Sequence, residues 1–383
     1  MEDSLVELEK VYDNSKYFEL FSREIMVNID NLQDYLVKMS RKKPRPINPS
    51  YWEEKKVIVT GSAGMVGSTI VDYLVDMGAD VYCTVRHHAS QHLPNLTKAL
   101  NSQNPPTLIE IDLKDYSKTL EMIRKIQPEI IFHEAAESFV PKSIDQPSYT
   151  VENNCVSSVN LLEAIRKEAK NIEGITLACS SEEYGFVKSI EEIPVKESNP
   201  LRPTSPYAAT KVFTESIAQA YYYMYKLPVL ILRTFNQEGP RRGEHFFTSR
   251  IAKQLANCLL GKSNRVIMGN PNSVRDFTHI LDSALAKLYA VQFCERGEIY
   301  NICSGIGIST GDYAKLALRL NNLEDKCKLY VNKELLRPYE RGEFFIDGFI
   351  GDNTKFVNKT GWYPQKTIKD IILDSVNFFK NLS

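Results

Sequence analysis

The stretch Val57-Ile58-Val59-Thr60-Gly61-Ser62-Ala63-Gly64-Met65-Val66-Gly67 constrains this chain more than any other. An apolar run ends in a turn with glycines at 61, 64 and 67, and a helical pattern begins at once. A strand, a tight glycine turn and a helix start, in that order, open a dinucleotide-binding unit. Gly61 permits the turn, Gly64 lets backbone approach a pyrophosphate, and Gly67 lets helix and strand pack closely. The backbone of Met65 and Val66 at the helix start then offers free N–H groups and a partial positive charge to the phosphates. The spacing is G-x-x-G-x-x-G, not the commoner G-x-G-x-x-G. Three glycines alone also suit an ordinary turn, so the flanking strand and helix carry the reading.

Apolar runs at 56–60, 81–85, 107–111, 129–133, 175–180 and 228–233 alternate with helical patterns at 66–77, 117–126, 155–170 and 205–225. Such alternation predicts a parallel sheet with helices on both faces, and the crossover rule makes it doubly wound. The expected fold is α/β: a Rossmann-type doubly wound parallel sheet over 51–236, then a smaller mixed α/β substrate-binding part over 237–383. Residues 1–50 stand apart. Leu5, Leu8 and Val11 share one helical face, and Phe18, Phe21, Ile25, Val27 and Leu32 continue the apolar content, so helix is expected to about residue 40. Arg41-Lys42-Lys43-Pro44-Arg45-Pro46-Ile47-Asn48-Pro49 reads as a basic, proline-rich, solvated tether. The segment before it is expected to pack as a helical arm on the body or on a second subunit.

The 383 residues carry a formal net charge of -1, which implies no broad attraction to nucleic acid or to a membrane surface. No apolar run reaches membrane-spanning length, and the acidic start Met1-Glu2-Asp3 lacks a signal-peptide apolar region. The 7 cysteines include no C-x-x-C pair, so neither a disulfide framework nor a metal site is expected, and a reducing cytoplasm suits them.

Chemistry-bearing residues fall at the ends of the expected strands. The second strand runs Val81-Tyr82-Cys83-Thr84-Val85 into Arg86, with no acid to bond ribose hydroxyls. Arg86 can pair with a 2′-phosphate, which points to NADP with NAD as the alternative; a surface arginine after a strand also fits. Asp112 is placed to bond an adenine edge or simply to start a loop. In His133-Glu134-Ala135-Ala136 the two alanines let backbone pass close to a cofactor, while the histidine can be merely packed. Tyr207 and Lys211 lie four residues apart on one helix face, where a lysine cation favours phenolate. The strand ending Ala178-Cys179-Ser180 places Ser180 toward a ligand, with Glu182 near enough to move a proton. Glu183 reads as a solvated turn carboxylate. Tyr221 to Tyr225 crowd the end of the Tyr207 helix, as core or as interface.

Together, the glycine turn, Ser180, Tyr207 and Lys211 resemble the extended short-chain dehydrogenase/reductases that modify nucleotide sugars, over about residues 55 to 380. The resemblance sharpens toward the GDP-mannose 4,6-dehydratase and GDP-4-keto-6-deoxymannose reductase branch. Ser-Ser-Glu-Glu-Tyr-Gly (180–185), Leu-Arg-Pro-Thr-Ser-Pro-Tyr (201–207), Arg-Thr-Phe-Asn (233–236) and Tyr-Asn-Ile-Cys-Ser-Gly (300–305) look most like the reductases. Pro-Arg-Arg-Gly (240–243) is closer to the dehydratases, and Arg-Asp-Phe-Thr (275–278) and Gly-Trp-Tyr-Pro (361–364) occur across the branch. The resemblance implies Tyr207 as acid/base at the sugar 4-position, tuned by Lys211, with Ser180 positioning the sugar oxygen and Glu182 taking the carbon-5 proton. It implies Asn236, Arg242, Arg275 and Arg337 as contacts to a nucleoside-diphosphate sugar, GDP-linked by preference. A 4,6-dehydratase is expected ahead of a 4-reductase, an epimerase or a non-catalytic cofactor-binding scaffold. A homodimer or homotetramer is implied as well.

Overall fold

Continuous apolar strands need cover on both faces, which parallel sheets flanked by helices provide. The computed structural model describes residues 5–12, 25–86, 93–336 and 348–382. Its first seven strands are β1 (Leu5–Glu7), β2 (Lys56–Thr60), β3 (Asp80–Val85), β4 (Thr107–Glu110), β5 (Ile130–His133), β6 (Gly174–Ser180) and β7 (Val229–Thr234). There follow β8 (Asn236–Glu238), β9 (Arg265–Met268), β10 (Val274–His279), β11 (Ile299–Ile302), β12 (Gly307–Ser309), β13 (Lys328–Asn332) and β14 (Gly348–Phe349). One seven-stranded sheet runs β11-β7-β6-β5-β2-β3-β4, every neighbouring pair parallel. Strand order reverses between β2 and β5, and a crevice at the carboxyl ends of strands beside such a switch is where ligands sit in open α/β sheets.

The longer helices are α1 (Leu32–Ser40), α2 (Met65–Asp76), α3 (Tyr116–Ile126), α4 (Ser157–Glu168), α5 (Pro206–Tyr225), α6 (Phe247–Leu259), α7 (Ile280–Phe293), α8 (Thr310–Leu320) and α9 (Ile368–Leu382). Alternate residues of each strand feed opposite faces of the sheet. Val57 and Val59 join Ile70, Leu74 and Leu288 in one core, while Ile58 joins Leu161, Ile165 and Leu177 in another. Two smaller sheets, β1-β13-β9 and β12-β10-β14 with β8 beside β10, enclose a further core around Leu255, Phe277 and Tyr313. No helix among the described residues is long and apolar enough to cross a membrane.

The expected strands and helices of the main sheet form within one or two residues of their predicted bounds. Two features differ. First, the boundary at 236/237 is crossed: β11 pairs in parallel with β7 as the seventh strand, and α7 packs into the same core as β2. Three strands and two of the longer helices separate β11 from β7 in the chain, so no local pattern marks them as neighbours.

Second, the leader is not one long helix. Leu5–Glu7 is a strand antiparallel to β13, Leu8–Lys10 is a 3-10 turn, and helix forms at Leu32–Ser40. Leu8 is buried but Val11 is exposed, and Phe18 and Phe21 lie outside the described residues. An open strand edge on β13 decided the matter, because unpaired backbone groups there accept a ladder. Nor is the proline-rich segment a solvated tether. Arg45 donates its N–H to the Gly361 carbonyl at 2.8 Å, and its guanidinium lies 4.1 Å from the centre of the Phe293 ring. Asn48 and Gln292 bond each other twice, at 3.1 and 2.8 Å.

The aromatic cluster at the end of α5 divides between its two readings: Tyr221 and Tyr222 pack against the core of Leu161 and Ile165, while Tyr223 and Met224 are exposed.

Candidate active site

The glycine turn is built as its spacing requires. Gly61 has φ +63°, and a Cβ there would meet the Ala135 backbone at 2.9 Å. A Cβ on Gly67 would lie 2.4 Å from the Gly61 carbonyl oxygen, so only hydrogen fits between α2 and the turn. Gly64 caps α2 without a side-chain acceptor, leaving first-turn N–H groups beside Met65 and Val66 for an anion. Behind the turn, Thr60 Oγ1 accepts the N–H groups of Glu134 and Ala135, each at 3.1 Å. His133 is packed, as its alternative reading has it: its ring bonds Thr60 Oγ1 at 2.9 Å and Ser158 Oγ at 3.1 Å, and burial pushes its pKa down to about 3.

A cavity of about 1100 Å³ opens at these strand ends. Pockets for drug-sized ligands span about 300–1000 Å³, so this space is at the large end of small-molecule sites. Gly61, Gly64, Met65, Val66, Gly67, Arg86, Asp112, Ala135 and Ala136 line it, as do Ser180, Glu182, Tyr207, Lys211, Asn236, Arg242 and Arg275. Arg337 lies outside the described residues.

Ser205 caps α5 by accepting the Ala208 N–H at 3.1 Å, and Pro206 occupies the first turn, so Tyr207 and Lys211 both enter the cavity from one helix face. Lys211 Nζ lies 5.7 Å from the centre of the Tyr207 ring and donates to the Ala178 carbonyl at 2.5 Å. The expected depression of the Tyr207 pKa is not what this arrangement gives. Burial pushes the phenol up, opposed by a hydrogen bond with Ser180, while the Glu182 and Glu183 charges push it further up. The physical reason is desolvation of the phenolate, which outweighs the Ser180 hydrogen bond.

Ser180 Oγ accepts the Glu182 N–H at 3.2 Å, and Glu183 Oε1 accepts the Ser180 N–H at 2.7 Å. This reciprocal cap fixes the 3-10 turn that carries Glu182. Glu183 is therefore buried, correcting its reading as a solvated carboxylate. Burial, then the Glu215 carboxylate, push its pKa up. Arg233 anchors the group, bonding Glu215 at 2.8 and 2.6 Å and Tyr184 at 2.9 Å. Cys179, Glu183 and Glu215 bring donor atoms within 4.8 Å of one another, but the Arg233 guanidinium already supplies the positive charge Glu215 needs.

Arg86 is exposed and donates to Asn153 Oδ1 at 2.5 Å and Tyr149 at 3.2 Å. Asp112 faces the cavity while accepting the Lys114 N–H at 3.0 Å, so it starts the loop as well. Arg242 is tied inward: Nε is 2.8 Å from Glu238, Nη1 donates to the Gln237 carbonyl at 2.6 Å, and the guanidinium lies 3.9 Å from the centre of the Phe246 ring. Arg275 donates to the Val274 carbonyl at 2.8 Å.

Three residues escaped sequence reasoning. Asn154, in a π turn, bonds Thr210 on α5 at 3.0 Å and accepts the Glu137 N–H at 2.7 Å, joining the Tyr207 helix to the segment after β5. Arg241 spans from its loop to α2, 2.8 Å from Asp72. Arg250 lines the cavity with no hydrogen bond or ion pair to its side chain among the described residues. The Ser249-Arg250 position on an amphipathic helix gave only a polar-face signal.

The parallel sheet, glycine turn and Ser-Tyr-Lys group define a dinucleotide-binding short-chain dehydrogenase/reductase architecture. More narrowly, the chain belongs to the GDP-mannose 4,6-dehydratase family, whose model, described as GDP-mannose 4,6 dehydratase, matches residues 58–374. It is 27% identical over 356 residues to a GDP-mannose 4,6-dehydratase of Yersinia enterocolitica, covering 84% of this chain and 93% of that one. It is 28% identical over 345 residues to the GDP-mannose 4,6 dehydratase of Homo sapiens, covering 84% and 90%. Among solved structures, a Thermus thermophilus UDP-glucose 4-epimerase in complex with NAD matches with TM-score 0.71 at 27% identity, covering 85% of this chain and 99% of that one.

Proposed function

We propose that this protein is a nucleotide-sugar 4,6-dehydratase acting on a GDP-mannose-type substrate with NADP. The observation that carries the reading is one cavity lined by the glycine turn, Ser180, Glu182, Tyr207 and Lys211 together. A cofactor fits there because the uncapped start of α2 faces the cavity beside a turn that no side chain can fill. Gly64, Met65 and Val66 would hold its pyrophosphate, Lys211 its nicotinamide ribose and Arg86 a 2′-phosphate. Bound nicotinamide supplies the reversible oxidation and reduction of the sugar.

The residues supply the proton traffic. Tyr207 accepts the proton of the sugar 4-hydroxyl, which Ser180 orients. A ketone at carbon 4 acidifies carbon 5, and Glu182 removes that proton and passes it to the hydroxyl that leaves carbon 6 as water. Burial favours the protonated phenol, so Tyr207 keeps the proton it accepts until carbon 5 is reprotonated as carbon 6 is reduced. Arg250 and Arg275 face the cavity where a diphosphate needs guanidinium donors. Self-association belongs to the same reading, with exposed Phe213, Tyr223 and Met224 along α5 as its contact surface.

The test is incubation with GDP-mannose and NADP, followed by mass spectrometry of the nucleotide sugar. A product lighter by one water, without net cofactor reduction, is expected. An unchanged sugar, with NADPH consumed when a 4-keto-6-deoxy sugar nucleotide is supplied, would replace the dehydratase by a reductase.

A further inference from the structure

The leader, which lies outside the family match, is attached to the cavity wall contributed by the smaller sheets. Three attachments do this. In the first, β1 completes the edge of β13, pairing Leu5 with Asn332 and Glu7 with Tyr330. Asn332 Oδ1 in turn accepts the Glu334 N–H at 2.9 Å, and Glu334 and Leu335 line the cavity.

In the second, the Tyr12 hydroxyl bonds Ser309 Oγ, which caps α8 by accepting the Asp312 N–H at 3.0 Å. Next to that cap, the Thr310 N–H donates to the Ser273 carbonyl at 2.9 Å and Thr310 Oγ1 to the Asn270 carbonyl at 2.6 Å; all three residues line the cavity. The Tyr12 ring fills the space beside Gly311, where a Cβ would meet it at 2.8 Å.

In the third, the Val27 N–H donates to the Gly307 carbonyl at 2.8 Å and the Gly307 N–H to the Ile25 carbonyl at 2.7 Å. These bonds place the leader against β12, whose Ile308 pairs with Arg275 of β10. Leu8, Tyr12, Met26 and Val27 are all buried, so the attachment is packed as well as hydrogen-bonded.

We propose that residues 5–12 and 25–27 form a built-in strap that positions the nucleotide end of the substrate site. The strap holds Arg275, Thr310 and the Glu334 segment in register with one another, although it supplies no cavity-lining side chain itself. The glycine turn and Tyr207 lie on the main sheet, which the strap does not hold. Its loss therefore weakens binding of a nucleoside diphosphate and leaves the dinucleotide alone. This inference rests on the reading that the wall around Arg275 takes a nucleoside diphosphate.

The full chain is compared with Tyr12→Phe and Gly311→Ala by calorimetric titration with GDP, UDP and dTDP, and by NADPH fluorescence. Tyr12→Phe removes the hydroxyl that bonds Ser309 and keeps the ring, so the best-bound diphosphate should weaken about 5-fold. Gly311→Ala wedges a methyl group against the strap and should cost about 10-fold or more. NADPH affinity should stay within about twofold. Unchanged diphosphate binding in both variants overturns the strap, as does a parallel loss of NADPH binding, which marks general destabilisation. Wild-type protein that binds none of the three diphosphates overturns the underlying reading instead. If Gly311→Ala does not fold, Tyr12→Phe decides alone.

Discussion

Lys287 and Glu134 form an ion pair with side-chain exposures of only 0% and 4%. Lys287 Nζ donates to both carboxylate oxygens at 2.9 Å. The lysine comes from α7 and the glutamate from the end of β5, and the Glu134 carbonyl carbon would lie 3.0 Å from a Cβ on Gly61. Lys287→Met keeps an unbranched apolar side chain one atom shorter and deletes the charge, stranding a carboxylate beneath the glycine turn. At an effective dielectric of about 20, charges at the 2.9 Å contact distance attract by roughly 6 kcal/mol. Part of that only offsets desolvation, and breaking a buried pair costs about 3–5 kcal/mol. Urea unfolding of wild type, Lys287→Met, Glu134→Leu and the double variant should show each single variant losing about that much. The double variant should return to within about 1 kcal/mol of wild type or exceed it, because a well-packed apolar pair replaces the ions without an orphaned charge. NADPH should bind Lys287→Met more weakly, since Glu134 carries one of the N–H groups that Thr60 holds against the turn. A single-variant loss under about 1 kcal/mol, or additive losses in the double variant, would refute the reasoning.

Three further outcomes follow from particular contacts. Gly67→Ala pushes a methyl group into the Gly61 carbonyl and should cut dinucleotide affinity at least about 10-fold, whereas Gly174→Ala, whose Cβ meets nothing closer than 3.5 Å, should be silent; equal effects in equilibrium binding would discard the steric account. Arg86→Ala should weaken NADP about 10-fold or more and NAD less than about threefold, and equal losses for both would remove Arg86 from the 2′-phosphate. His133, held neutral with its pKa pushed from 6.5 down to about 3, contributes stability that is present above the unfolded value and drains away as pH falls between the two. The slope it adds is about 1.4 kcal/mol per pH unit. His133→Gln should flatten the acid limb of a stability–pH curve by that slope, and an unchanged limb would contradict the assignment.

Local chemistry made much of this molecule legible from the chain alone. The glycine spacing needs only a few consecutive residues to specify a strand, a positive-φ turn and a helix start. Tyr207 and Lys211 share a face because helical periodicity alone puts them there. Ser180 and Glu182 reach the cavity because parallel strands carry their ends to a common edge. Those inferences hold wherever the determining atoms are neighbours in sequence.

Residues whose environment is assembled from distant segments behaved otherwise. Glu183 and Glu182 are adjacent and chemically identical, yet Glu183 is buried beside Arg233 and Glu215 while Glu182 faces the cavity. Arg242 and Arg250 look interchangeable in the sequence, but Glu238 occupies Arg242 and leaves Arg250 to the cavity. Tyr207 gained a raised pKa because desolvation depends on everything packed around it. The leader became a strand where β13 presented an open edge. Sequence by itself determined the parallel sheet, the glycine turn and the titratable residues at the strand ends, since covalent spacing and backbone sterics fix these. Tertiary structure alone decided which charges are paired, which are desolvated and which edge the N-terminal strand joins, because burial and Coulomb energies depend on distances between atoms far apart in the chain.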